Sequence, residues 1–180
     1  MTLPLEDSAL KNISSLSQQL TVFYELTPRQ IEKVLKAFCQ TISIQNQEKK
    51  LKSSWADAAL ILSVVKMSDK EMYHKLGRGE DNLTGFSNKI SERLMQLSLT
   101  DDQTNKFIRN LYFKFIALAF GEGDLETAVP IFENIDGQKA DPVDISRFIT
   151  YYTQEPLLRG RPLFQRVYKL MEAWEDFIED

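Results

Sequence analysis

The sequence is poor in the residues that carry covalent and metal chemistry. Among 180 residues there is one cysteine, Cys39, and one histidine, His74. A single cysteine excludes an internal disulfide, and on the apolar side of a helix it behaves as a small hydrophobic residue. Any Ser-His-Asp triad or histidine-containing metal site would have to use His74. No Gly-x-Ser-x-Gly or Cys-x-x-Cys sequence accompanies it, so we expect a protein that is not an enzyme on its own and needs no metal or other cofactor.

Glycine, proline and long hydrophobic runs are also scarce. The seven glycines and six prolines fall mostly between periodic segments, which favours helices. The longest apolar stretches, residues 56–65 and 113–120, are too short to span a bilayer. Glu6 and Asp7 stand where a secretory signal would have basic residues, which argues against such a signal. The sequence therefore predicts a cytoplasmic protein without a membrane span.

Neither sign of charge is in large excess. The net charge of −4 gives no overall attraction to nucleic acid or to an anionic membrane, so binding to a polyanion would need a local basic patch. The hydrophobic fraction of 43% and the charged fraction of 27% are typical of a packed globular domain. We predict a single domain over residues 1–180, with a sub-boundary considered in the loop 77–82.

Apolar residues recur at helical spacing along most of the chain. This pattern predicts an all-α fold, an irregular bundle of about seven to nine helices. The sharpest signal lies at Thr27-Pro28-Arg29-Gln30. Thr27 fits the N-cap, Pro28 fits the first helical position, and Gln30 completes a capping box. The helix that follows runs to about residue 44, and its predicted apolar face consists of Ile31, Val34, Leu35, Phe38 and Ile42.

Other helices follow from the same spacing. A first helix over residues 7–23 carries an apolar stripe that begins at Leu10, and a third begins at Ser53 or Ser54. This third helix is apolar around most of its circumference, so we predict that it is the central core helix. Asp69 fits the cap of a short fourth helix that ends at Leu76, before an exposed loop. Further helices are predicted over residues 83–97, 100–120 and 124–134, from residue 141, and from residue 163 towards the C-terminus.

The order of features from residue 16 to 79 resembles the helical region that follows the nucleotide-binding core in the KAP family of P-loop NTPases. The resemblance has three parts and covers about a third of the chain. A capped helix, Leu-Thr-Pro-Arg-Gln-Ile-Glu-Lys, is followed by a polar gap and then by the Ala/Leu/Ile/Val-rich helix. Last comes Met-Tyr-His-Lys-Leu-Gly at residues 72–77, similar to the family's Tyr-x-x-Leu/Phe-x-Gly ending.

The chain departs from the family because it has no Gly-x-x-x-x-Gly-Lys-Ser/Thr loop. Without that loop, ATP hydrolysis by this chain alone is not expected. The resemblance implies a non-catalytic helical interaction or regulatory module, whose partner is a protein that could be a P-loop NTPase core. It also implies a role for Arg29, because an arginine at the start of such a helix can reach the phosphates of a nucleotide held by a neighbouring core. The other interpretation of Arg29 is an ordinary exposed residue.

Other interpretations remain open at this point. Lys49, Lys50 and Lys52, together with Lys33 and Lys36, could form a patch for nucleic acid, with the Thr27 helix as part of a helix-turn-helix. Aromatic residues near the C-terminus could line a groove for a protein partner, although packing in the core is the commoner reason for such residues. These aromatic residues are Tyr151, Tyr152, Trp174 and Phe177. The acidic groups, Glu172 among them, are interpreted as caps and solvated faces.

Overall fold

The computed structural model describes residues 7–45, 53–80 and 163–178, with ten isolated positions between them, namely residues 85, 88, 89, 92, 93, 96, 111, 114, 115 and 118. Backbone contacts divide the chain into two compact units, residues 1–78 with 163–180, and residues 79–162. All regular structure in the described residues is helical, which confirms the all-α prediction for that part of the chain. The ten isolated positions are helical too. The described residues of the first unit form five helices: α1 (Asp7–Phe23), α2 (Pro28–Gln45), α3 (Ser53–Ser68), α4 (Lys70–Arg78) and α5 (Leu163–Ile178).

Helix α3 is the centre of the first unit, as predicted. Every residue from Ser53 to Val65 is buried, and α1, α2, α4 and α5 all pack against this helix. Alanines at positions 56, 58 and 59 are fully buried, and such small side chains allow neighbouring helices to approach closely. The hydroxyl of Ser63 donates to the carbonyl of Ala59 at 2.7 Å, so this buried polar group is satisfied within the helix.

Helices α1 and α2 each bury one stripe, and each stripe is narrower than predicted. Leu10 of α1 is 44% exposed and Leu35 of α2 is 38% exposed, so including these two in the apolar faces was wrong. Successive helical residues differ by about 100°. Leu10 follows the buried Ala9, and Leu35 follows the buried Val34, so each leucine lies beside the buried stripe and not within it.

The turn between α1 and α2 is closed by backbone hydrogen bonds and by side chains. Glu25 adopts a positive φ of 50°, the conformation that usually selects glycine at the end of a helix. Its amide donates to the carbonyl of Val22 at 3.2 Å, and the amide of Leu26 donates to Thr21 at 3.0 Å. The chain can therefore turn sharply between the end of α1 and the cap of α2.

The capping box at the start of α2 is confirmed. The backbone amide of Thr27 donates to Gln30 Oε1 at 2.9 Å, and the amide of Gln30 donates to Thr27 Oγ1 at 3.4 Å. The Asp69 cap of α4 is confirmed as well, because the amide of Met72 donates to Asp69 Oδ1 at 2.9 Å. Both starts are thus fixed by residues within one helical turn.

Helix α4 continues past its predicted end at Leu76. Gly77 and Arg78 are helical, and Gly77 is buried, so the prediction that the loop starts at Gly77 was wrong. The helix stops at Gly79, whose φ of 69° is readily available to glycine.

Candidate functional site

Four polar side chains lie around Glu172, and together with it they form a group from three helices that we call the Glu172 cluster: Lys66, Tyr73, His74, Tyr168 and Glu172. Lys66 comes from α3, Tyr73 and His74 from α4, and the other two from α5. Tyr73 pairs with Glu172, whereas His74 pairs with Tyr168, which is earlier in α5. The two helices are therefore antiparallel where they meet. The residues of α5 and their partners in α3 and α4 are 94 to 106 residues apart in the sequence.

Glu172 is the acceptor at the centre of this cluster. Its Oε1 accepts a hydrogen bond from the hydroxyl of Tyr73 at 3.0 Å and forms an ion pair with Lys66 Nζ at 3.4 Å. Its Oε2 accepts from the hydroxyl of Tyr168 at 3.4 Å. The ammonium group of Lys66 also lies 4.9 Å from the centre of the Tyr73 ring, within the range of a cation–π contact. Three donors therefore converge on one half-buried carboxylate.

The hydroxyl of Tyr168 links His74 to Glu172. Its oxygen lies 3.0 Å from His74 Nδ1 and 3.4 Å from Glu172 Oε2. The phenol has one proton to donate, and the tautomer of His74 decides whether Nδ1 donates to the hydroxyl or accepts from it.

The aromatic rings of the cluster pack closely against one another and against Gly77. The rings of Tyr73 and Tyr168 have centroids 5.0 Å apart, and His74 meets Tyr168 edge-on at 6.0 Å. The ring of Tyr168 covers Gly77 so closely that a Cβ atom there would overlap ring atoms Cγ and Cδ2. Only glycine leaves room for this contact, so the ring of Tyr168 can pack directly on the backbone of α4 at Gly77.

The contacts of the Glu172 cluster join three helices. Glu172 accepts three donors, and His74 Nδ1 lies within hydrogen-bond distance of the Tyr168 hydroxyl. Within the part of the chain that the structure describes, no three His, Cys, Asp or Glu side chains come together to hold a metal ion. We interpret the Glu172 cluster as a connection that fastens α5 to α3 and α4.

Arg29 occupies the first turn of α2, where its side chain is exposed. No acidic residue lies in that first turn, and no described residue forms a hydrogen bond or ion pair with the guanidinium. The capping box uses the amides of Thr27 and Gln30, and Pro28 has none to offer. Arg29 therefore presents an amide and a guanidinium group at the positive end of the helix dipole.

The remaining predicted site residues are distributed as follows. Lys33 and Lys36 are exposed on α2. Lys49, Lys50, Lys52, Tyr151 and Tyr152 lie outside the described residues. Trp174 and Phe177 lie in α5, but their side chains are outside the described part. The nucleic-acid patch and the aromatic partner groove thus stay predictions.

Two acidic residues have positions that the sequence analysis missed. Glu172 was interpreted as part of a solvated face, and that interpretation is wrong, because it lies half-buried at the centre of the cluster. Asp57 is completely buried in α3. The sequence indicates this burial, because a carboxyl group within the apolar run of a central helix has to be buried and needs partners there.

Comparisons with known proteins leave the chain without a family assignment. No protein-family model matches it, and no curated protein or solved structure is significantly similar to it. None of the helices in the described residues is both long enough and apolar enough to cross a membrane.

Proposed function

We propose that this chain is a helical interaction module that has no catalytic activity of its own and docks a protein partner. In this proposal the partner is a KAP-type P-loop NTPase core, and the module responds to the nucleotide that the core holds. The proposal includes a complete bundle of seven to nine helices and a cytoplasmic location.

The observation that carries the proposal is the exposed Arg29 at the capped start of α2, which has no partner among the described residues. A cation in the first turn of a helix is unfavourable against the helix dipole. A phosphate group bound there would interact favourably with the guanidinium, with the free amide and with the dipole. An arginine that is exposed at this position, without an acidic residue in the first turn, is consistent with contact to an external anion.

The lack of a phosphate-binding loop in the chain is the reason for assigning the nucleotide to the partner. The nearest glycine-rich sequence, Gly77-Arg78-Gly79, has no lysine of the required kind and forms the end of helix α4, whereas a Walker A loop follows a strand. In the proposal Arg29 would reach across the interface to the phosphates. The rest of the module would supply the docking surface.

The test is nucleotide-dependent capture of a partner. The full chain, carrying an affinity tag, is incubated with extract of its own source cells in the presence of either ADP or a slowly hydrolysed ATP analogue. The proposal predicts recovery of a protein with a Walker A loop that differs at least about fivefold between the two nucleotides. Arg29→Ala should abolish the difference, and Arg29→Lys should restore part of it because the charge remains without the planar fork.

Lys11→Ala is the matched control, because Lys11 is an exposed cation on α1, a different helix. This variant should behave as the natural chain does. Recovery that is equal with both nucleotides, or a set of captured proteins without a Walker A loop, would contradict the proposal.

A further inference from the structure

The outer side of α2 carries a row of positive charges that we call the cationic stripe: Arg29, Lys33 and Lys36. With 3.6 residues per turn, these three positions fall within a sector of about 60° and extend over about 10 Å of the helix. All three side chains are exposed, whereas Val34 and Phe38 on the opposite side are buried. The stripe is thus the solvent-facing side of a helix whose other side faces α3.

The three cations of the stripe have no acidic partner within the described residues. Two other lysines of the protein show that pairing is available elsewhere. Lys66 pairs with Glu172, and Lys75 pairs with Glu71 at 2.6 Å one turn away on the same helix. In a protein with a net charge of −4, three cations on one side of a helix, without an acidic partner in the part of the chain that the structure describes, give a local excess of positive charge even with Glu32 beside them. Such a surface attracts a partner of complementary charge.

We propose that the cationic stripe docks an acidic α-helical segment of a protein partner. Carboxylates at positions i, i+4 and i+7 of a helix repeat the spacing of the three cations, so two such helices could pair along about two turns. This inference goes beyond the proposed function, because it specifies the surface and the chemistry of the docking segment without requiring an NTPase. The nucleotide response can fail while the docking holds.

Glu32 lies beside the stripe and limits the kind of partner that the stripe suits. Glu32 is exposed and lies about 40° from Lys36 around the helix axis. A continuous phosphate backbone would bring negative charge against Glu32, whereas a partner helix can place a donor or an apolar group opposite Glu32 and its carboxylates opposite the cations. The stripe therefore suits a helix whose acidic side chains are confined to one row.

The test uses a designed probe, a fluorescent alanine-based helical peptide with glutamates at i, i+4 and i+7 and one leucine beside them. Its affinity is measured for the full chain and for a Lys33→Glu/Lys36→Glu variant. The proposal predicts that affinity falls about tenfold or more in this variant, because like charges then face each other. A peptide with lysines in place of the glutamates should bind the variant better than it binds the natural chain.

The control variant is Lys11→Glu/Lys70→Glu, which changes the net charge by the same amount at exposed positions on α1 and α4. It should bind the acidic peptide as the natural chain does. Equal loss of affinity in the control would overturn the proposal, since binding would then depend only on net charge. Binding of a single-stranded oligonucleotide more tightly than the peptide, lost in the same Lys33→Glu/Lys36→Glu variant, would overturn it in favour of nucleic acid.

Discussion

Helices α2 and α3 have similar lengths, but they are buried to very different extents. From Ser53 to Val65, α3 has no exposed residue, and four other helices pack around it. Helix α2 buries Val34, Phe38 and Ile42 on one side and exposes the cationic stripe on the other. The two helices therefore have different roles in the fold, because α3 lies at the centre of the interior whereas α2 contributes one side to that interior and exposes the other.

The largest contrast is expected when one leucine is truncated in each helix. Leu62→Ala in α3 removes a side chain that is fully buried, and such a change typically lowers the free energy of unfolding by about 2–5 kcal/mol. Leu35→Ala in α2 removes a partly exposed side chain and should cost less than about 1 kcal/mol. Urea unfolding followed by circular dichroism measures both. Equal losses would show that α2 is covered as completely as α3.

A smaller loss of stability is expected from a substitution at Gly77, where the ring of Tyr168 leaves no room for a larger side chain. Gly77→Ala would place a methyl group against the ring of Tyr168, and such overpacking typically costs about 1–3 kcal/mol. In a Tyr168→Ala background the same substitution should be neutral or stabilising by up to about 1 kcal/mol, because alanine favours the helix. The double-mutant cycle is measured by urea unfolding. A stabilising Gly77→Ala in the natural sequence would contradict the packing of α4 on α5.

The smallest of these effects belongs to the start of α2, which depends on local hydrogen bonds. Thr27→Ala removes the hydroxyl that accepts from the amide of Gln30 and should lower the free energy of unfolding by about 1 kcal/mol. Thr27→Ser keeps an N-cap hydroxyl and should preserve most of that stability. Thermal unfolding of the three proteins measures the difference. If serine were as damaging as alanine, the capping box would not account for the effect.

Sequence reasoning succeeded where the determinants are local. The bounds of α1 and α2, the caps at Thr27 and Asp69, and the central position of α3 followed from residues within a few turns of one another. Apolar residues around the whole circumference of α3 could be satisfied only by burial on all sides.

It failed where the determinant is a residue distant in the sequence. The position of Gly77 depends on Tyr168, and the burial of Glu172 depends on Tyr73 and Lys66. Helical periodicity gives the faces of each helix but not the pairing of α4 with α5, whose partners are about 100 residues apart. The exposed Leu10 and Leu35 show a related limit, because spacing alone does not give the width of a buried stripe.

Arg29 shows what a local signal can and cannot provide. The cap predicted its place in the first turn, and the structure gives its exposure. What it contacts in another molecule depends on that molecule, so neither the pattern nor the fold of a single chain contains the answer. The nucleotide role of Arg29 is therefore a proposal that the capture experiment tests.

The central claim is that the cationic stripe of α2 serves binding and not folding. The most direct measurement is the free energy of unfolding of the triple variant Arg29→Ala/Lys33→Ala/Lys36→Ala against that of the natural chain. We predict a difference within about 0.5 kcal/mol, as is usual for exposed positions without partners. A loss of more than about 1.5 kcal/mol would be outside the range for such positions, and it would contradict the claim by showing that these cations hold the fold together.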